Sequence, residues 1–362
     1  MATATTSVKK AFDTQADLKD HREHCAPAAR ALASLGSGPH QQVRIHRNGE
    51  FALYTVSELL HETTDSVVRM GLGGRQRLDS EEEFEGVLDT KVVDPDLSDA
   101  EASDAGELVE RLDDDGSQTH LIAIAPHGGD IEAHTDEQAE RVAERLGPRF
   151  ASAWRGKGWR PGGGAFVRWH ITSTDLNPIC FPLLNSIMSR RFTHAVAFHG
   201  FNDEPGVLIG GTAPAATKER LRQAIQQVLP AGLDVRIAGP DERYGGDDPD
   251  NIVNRLSPCG GIQIEQGPSP RDDHGCAIAD AVVDVFRPLR AAPVPWARRR
   301  LERMLTQAWA ATQSLVDRLR GQPWLMTRHR PDRRSRQAER SGLLPTKPQP
   351  GSTLPSRPSS PS

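Results

Sequence analysis

LIAIAPHGGDIE, residues 121–132, decides how the rest of the chain is read. Leu121 to Ala125 form an uninterrupted apolar run, as a strand buried on both faces of a sheet requires. The run ends in Pro126, His127 and a Gly–Gly pair, and DEQAERVAERL (Asp136–Leu146) follows with helical spacing, Thr135 being the expected N-cap. Strand, glycine loop and helix put residues 126–134 at the carboxyl end of a buried strand, the edge where open α/β sheets bind ligands.

Outward from this stretch, apolar or alternating runs predict strands at Ala165–Ser173, His194–Gly200, Gly206–Gly211, Asp234–Ala238 and Gly261–Gln266. Helical spacing predicts helices near Leu183–Arg190, Ala216–Leu229 and Cys276–Leu289. The alternation over residues 116–290 predicts one α/β/α domain. Upstream, residues 1–40 lack sustained periodicity and read as a mobile arm. Residues 41–115 read as a small β-rich region ending in an amphipathic helix within Asp94–Gly116. Downstream, residues 291–322 suit a basic amphipathic helix, and the Pro-, Ser- and Arg-rich residues 323–362 suit a disordered tail.

Composition permits an enzyme: 362 residues with 36% hydrophobic and 26% charged positions suffice for a large core. The N-terminus lacks the apolar region of a secretory signal and no run of about 18 apolar residues occurs, so a cytoplasmic protein without a membrane span is expected, release by lysis remaining open. Cys25, Cys180, Cys259 and Cys276 are scattered without a C-x-x-C pair, which argues against a disulfide framework or a thiolate zinc cluster. The net charge of −5 conceals an asymmetry: residues 291–362 hold 14 Lys/Arg against 4 Asp/Glu, residues 1–290 hold 30 against 45. An acidic body repels a polyanion at long range, so an anionic substrate would need local Arg or metal charge. The basic tail makes a nucleic-acid-binding, phage- or prophage-associated replication protein the alternative from another class, with steeply salt-dependent binding. No G-x-S-x-G elbow, P-loop, H-E-x-x-H helix or G-x-G-x-x-G motif occurs, which disfavours serine-hydrolase, phosphate-transfer and nicotinamide chemistry.

His127 and Glu132 flank a glycine pair that lets both side chains face one point, and imidazole nitrogen with carboxylate oxygen suits a zinc ion. Asp130 is the alternative carboxylate, and a loop histidine bonded to a backbone carbonyl is the plain reading of His127. A third ligand must come from elsewhere, and His199, at the end of the apolar run HAVAFHG, is the expected one. Glu265 ends GIQIEQ at the same edge and is expected either as a proton shuttle or as an ion-paired surface carboxylate. Arg255 suits bidentate carboxylate recognition, and His170 would orient a ligand or substrate unless it is a core histidine.

In order, APHGGDIE, HTDEQA, WHITST, AVAFHG, VLIGG, NIVNR and GIQIE resemble the signature blocks of the poly-γ-glutamate hydrolase family, which is phage-associated and related in fold to zinc carboxypeptidases. The resemblance spans roughly residues 120–270 and marks a long variant. It implies a carboxypeptidase-like three-layer α/β/α fold with a mixed central sheet. It implies one Zn²⁺ on His127, Glu132 and His199, Glu265 as general base, and Arg255 with Asn254 on a substrate carboxylate. The activity implied is cleavage of γ-glutamyl amide bonds in an anionic polypeptide, with another peptide amide as the related alternative. The family often has glycine where Asp130 and His134 stand, and WRGKGWRPGGG (Trp154–Gly164) reads as an insertion.

Overall fold

Residues 3–89 build a closed six-stranded barrel, not a mobile arm leading into a small β region. The protein is seen here as a computed structural model that describes residues 3–60, 66–202, 205–240 and 242–291. The expected basic helix beyond residue 291 and the tail of residues 323–362 lie outside the described residues.

The barrel strands are β1 (Thr3–Lys10), β2 (His24–Pro27), β3 (Gln42–Arg47), β4 (Glu50–Val56), β5 (Val67–Met70) and β6 (Phe84–Asp89), closed in the order β1-β5-β2-β4-β3-β6. Three short helices intervene: α1 (Ala16–Asp20), α2 (Ala29–Ser34) and α3 (Leu72–Gln76). Val8, Val43, Ile45, Tyr54, Val68, Met70 and Leu88 fill the interior. β1 has only two buried side chains, Thr6 and Val8, too few for a hydrophobic pattern. It is a strand because β5 pairs with it in parallel and β6 antiparallel.

The second assembly is a seven-stranded sheet of β7 (Leu108–Asp113), β8 (Leu121–Gly129), β9 (Ala151–Gly158), β10 (His194–Gly200), β11 (Val207–Gly210), β12 (Val235–Ile237) and β13 (Gly261–Gln266). The order is β12-β11-β13-β10-β8-β9-β7, with β9, β8, β10 and β13 mutually parallel, β7 antiparallel to β9, and β11 antiparallel to β13 but parallel to β12. The helices are α4 (Asp99–Ala105), α5 (Thr135–Leu146), α6 (Ala165–Trp169), α7 (Pro182–Ile187), α8 (Ala215–Val228), α9 (Ile252–Leu256) and α10 (Pro268–Ala291). Alternate strand residues serve opposite faces. Leu121, Ala123, Val196, Phe198 and Ile264 pack with Val142, Leu221 and Phe286 of α5, α8 and α10. Ile122, Ile124, Ala195 and Ala197 pack with Trp169, Leu184 and Ile252 of α6, α7 and α9. The chain is thus an α/β protein, with apolar contacts on both faces of a mixed sheet.

Several local expectations differ from the structure. The helix expected within residues 94–116 stops at Gly106, which takes φ +67°, and the chain re-enters the sheet as β7. Both β7 and α4 therefore precede residue 116, the expected domain start. Ala165–Trp169, expected as a strand, is the helix α6, because its apolar positions satisfy either period and Ala165, Arg168 and Trp169 turn inward together. Trp154–Gly158, the first part of the stretch read as an insertion, forms the carboxyl-terminal half of β9, bonded to β8 and β7. The N-cap of α5 is His134 in the left-handed region (φ +68°), and Thr135 Oγ1 donates instead to Glu132 O at 2.8 Å.

Candidate metal centre

The parallel run β8-β10-β13 brings three strand ends to one edge. His199 and Glu265 are register partners on β10 and β13. Between Ala125 and Gly128 the β8–β9 register shifts, so His127 sits on a bulge that re-aims its side chain. The glycines after it answer a close approach: a Cβ on Gly128 would lie 2.6 Å from Asp136 Cβ, and Gly129 takes φ +65° with Gly158 O beside it. Side chains at either position would force the loop away from β9 and α5.

Glu132 is the centre of the cluster. His127 Nδ1 lies 2.9 Å from Oε1, His199 Nδ1 3.2 Å from Oε2, and His170 Nε2 4.0 Å from Oε1. Gly200 N also donates to Oε2 at 3.0 Å. Each ring is fixed by its other nitrogen: His127 Nε2 to Ile171 O at 2.8 Å, His199 Nε2 beside Ser173 Oγ at 3.4 Å, and His170 Nδ1 beside Glu23 Oε1 at 3.4 Å. The donor atoms of His127, Glu132 and His170 lie within 4.8 Å of one another. The sequence reading therefore brought His127, Glu132 and His199 together, and it gave His170 a substrate role where the structure turns it toward Glu132. Asp130 is exposed, whereas Glu132 is buried.

Burial alone would lower the His127 imidazole, but the charge and hydrogen bond of Glu132 raise it. Burial would raise Glu132, yet His127 and His199 hold it well below the usual carboxylate range. The Glu132 charge thus favours the protonated form of His127. His170 is pushed down to about 4, chiefly by burial and then by the charge of His127, so it is a neutral donor at pH 7. Glu265 goes the other way: burial and then the Glu132 charge, opposed by His199, raise it to about 7. Gln263 Nε2 donates to Glu265 Oε1 at 2.8 Å. Two carboxylates within one cluster thus titrate at opposite extremes, the pattern of a ligand beside a proton carrier.

These residues line a cleft of about 1000 Å³ that Arg22, Phe166, Phe201, Tyr244 and Arg271 also reach. Arg255 does not line it. Its Nη1 donates to Leu176 O at 3.2 Å, and it faces a separate cleft of about 430 Å³ beside Asp175. Asn254 is likewise structural. Its Oδ1 accepts from Thr212 N, Thr212 Oγ1 and Gly261 N, and its Nδ2 donates to Gly246 O and Asp248 O. Both residues lie on the one-turn helix α9, which points them away from the cluster. Arg271 is a half-buried guanidinium that does line the main cleft, its Nε donating to Asp272 Oδ1 at 3.0 Å. Nothing in GPSPRDDHG separates Arg271 from the other basic residues of the chain. Gln263 was findable, because it alternates with Glu265 along one strand face. Ser173 and the Ile171 carbonyl were not, since they act through a loop.

Residues 100–273 match the family model of poly-gamma-glutamate hydrolase. The resemblance read over roughly residues 120–270 is borne out, and the match extends it upstream through α4 and β7. The SPbeta prophage-derived protein YoqZ of Bacillus subtilis is 29% identical over 147 residues, 40% of this chain and 48% of its own, so the chain spans about half the length of that relative. Among solved structures, a bacteriophage poly-gamma-glutamate hydrolase superposes with a TM-score of 0.42 at 24% identity, covering 50% of this chain and 89% of its own. A zinc-free apo form of YndL gives 0.40 at 22%, covering 52% and 91%. No described helix is long and apolar enough to cross a membrane.

Proposed function

We propose that this protein is a zinc-dependent amide hydrolase that cleaves γ-glutamyl linkages, built on a carboxypeptidase-like three-layer α/β/α frame. The observation that carries the reading is the convergence of three imidazole nitrogens on the buried Glu132 carboxylate, with the neutralisable Glu265 on the neighbouring strand. Nitrogen donors with one carboxylate, and no cysteine, form a donor set that zinc accepts readily. A backbone carbonyl on the far nitrogen of His127 is the support that metal-bound histidines ordinarily have. His127, Glu132 and His199, with His170 alongside, would hold one zinc ion, which when bound supplies the Lewis acidity that polarises an amide carbonyl and acidifies water.

The remaining work falls to the chain. Glu265, ionised above about pH 7, takes a proton from the attacking water and returns it to the leaving amine. Gln263 fixes the carboxylate that does so. Arg271, not Arg255, is the cation for a substrate carboxylate in this cleft. The assay is hydrolysis of poly-γ-glutamate by the full chain, with and without a chelator, against a panel of α-linked peptides. Release of γ-linked fragments that stops on chelation supports the reading; chelator-resistant or absent cleavage sinks it.

One observation favours a second reading with the same chemistry and a less acidic substrate. Eight carboxylate residues line the described cleft against four Lys and Arg, among them Asp20, Asp130, Asp247 and Asp248. Such a rim repels a polyanion. Cleavage of neutral or basic peptides, with the polymer left intact, would select this reading.

A further inference from the structure

The segment from Val167 to Asp175 supplies the outer contacts of the cluster: the Ile171 carbonyl on His127, the Ser173 hydroxyl by His199, and His170 itself. It leaves the short helix α6 and runs as loop, so no sheet ladder fixes it. Its backbone is held from the barrel. The Arg77 guanidinium, 7% exposed, donates from Nε to Val167 O at 2.8 Å and from Nη2 to Arg168 O at 3.3 Å and His170 O at 3.1 Å. Its Nη1 donates back to Leu53 O of β4 at 2.6 Å, and the Tyr54 ring lies under it at 4.7 Å. One cation thus ties the last carbonyls of α6, which lack partners within the helix, to a barrel strand.

Three further barrel residues grip the same segment. Glu23 meets His170, His24 Nε2 bonds Asp175 Oδ2 at 2.7 Å, and Gln42 Nε2 donates to Asp175 O at 2.8 Å. All four lie before residue 100, outside the family match.

We propose that the barrel is a positioning module for the metal cluster and that Arg77 is its principal positioning residue. The inference rests on reading the cluster as a metal site. Arg77 touches neither substrate nor metal donors. It fixes the peptide at residues 167–170, and through it the Ile171 carbonyl and Ser173 that set the ring planes of His127 and His199. A guanidinium is needed because three carbonyls of one segment and a fourth across the interface must be met by a planar fork, which an ammonium does not reproduce.

The test compares the full-length protein with Arg77→Lys, Glu23→Gln and, as a control of barrel stability away from the loop, Ile45→Val. Zinc affinity is read by competition with a chromophoric chelator, and donor geometry by the visible spectrum of the cobalt-loaded protein. Arg77→Lys is expected to weaken zinc about 10- to 100-fold and alter the cobalt spectrum, Glu23→Gln to do so less, and Ile45→Val to leave both unchanged. Glu23→Gln keeps the test alive if Arg77→Lys fails to fold. Unchanged affinity and spectrum in both loop variants, or equal weakening by Ile45→Val, overturns the inference. If the parent protein takes up no zinc, the metal reading falls, and hydrogen exchange over residues 167–175 decides instead. Faster exchange confined to that segment in Arg77→Lys supports the barrel's grip; uniform change rejects it.

Discussion

The barrel and the open sheet solve the same burial problem and end with opposite capacities. Closing six strands leaves the barrel without a free edge, and its core is a self-contained set of Val, Ile, Leu and Met around Tyr54. The sheet stays open, and four adjacent parallel strands send their carboxyl ends to one place. Within two residues of where each strand run stops being apolar stands His127, His199 or Glu265. Parallel pairing therefore converts three distant points of sequence into one cluster, whereas the barrel contributes through single polar side chains reaching out of its wall. The clustering of titratable side chains follows from edge geometry, not from the quality of the core.

The largest expected effect lies at the sheet edge. Glu265→Gln should lower amide hydrolysis by about 10²- to 10⁴-fold while circular dichroism stays unchanged; retained turnover would remove Glu265 as proton carrier. Next comes the ion. Zinc in thousandfold excess over its dissociation constant should stabilise the fold by about 4 kcal/mol, seen as a chelator-sensitive shift in denaturant midpoint that His127→Ala abolishes. Binding should weaken as pH falls, because the raised His127 must give up its proton.

A third prediction crosses from sheet to barrel. Burial opposes ionisation of Glu23, but hydrogen bonds from His170 and Arg22 and the charge of Arg77 hold its carboxyl at about 2, against an ordinary value of 4.5. The depressed value means stability fully present above pH 4.5 and lost as pH falls through about 2, on the order of 3 kcal/mol for this 10%-exposed group. Acid unfolding of Glu23→Gln should be flatter over that window, and an unchanged slope would refute the linkage. Inside the barrel, Ile45→Val should cost about 1 kcal/mol in urea unfolding without changing hydrolysis. The smallest effect belongs to Arg255→Ala, whose KM for the polymer should stay within about twofold, since Arg255 faces the other cleft; a large rise in KM would restore it to the site.

Much of the sheet was legible because β8 and β10 hold continuous apolar runs, a pattern set by burial on both faces, and β13 alternates Ile262 and Ile264 with polar residues. β7 and β9 were missed because LVERLD and ASAWRGKG carry polar residues that pair locally: Glu110 accepts from Trp154 Nε1 at 2.8 Å, and Arg155 meets Asp113 at 2.7 Å. In the barrel, the Asn48–Gly49 turn, with φ of +52° and +86°, marks the β3–β4 hairpin in the sequence itself. β1 leaves no such mark.

The sequence alone determined the chemistry at the strand ends, because a run of apolar residues that stops at His or Glu fixes both the strand and what its edge presents. It also carried the resemblance to the poly-γ-glutamate hydrolases, through ordered blocks matched over residues 100–273. Tertiary structure decided the rest. The direction of a side chain on a loop or one-turn helix depends on neighbours remote in sequence. Hence His170 turned toward Glu132, Arg255 and Asn254 turned away, and the barrel's Arg77 reached a loop some 90 residues further on.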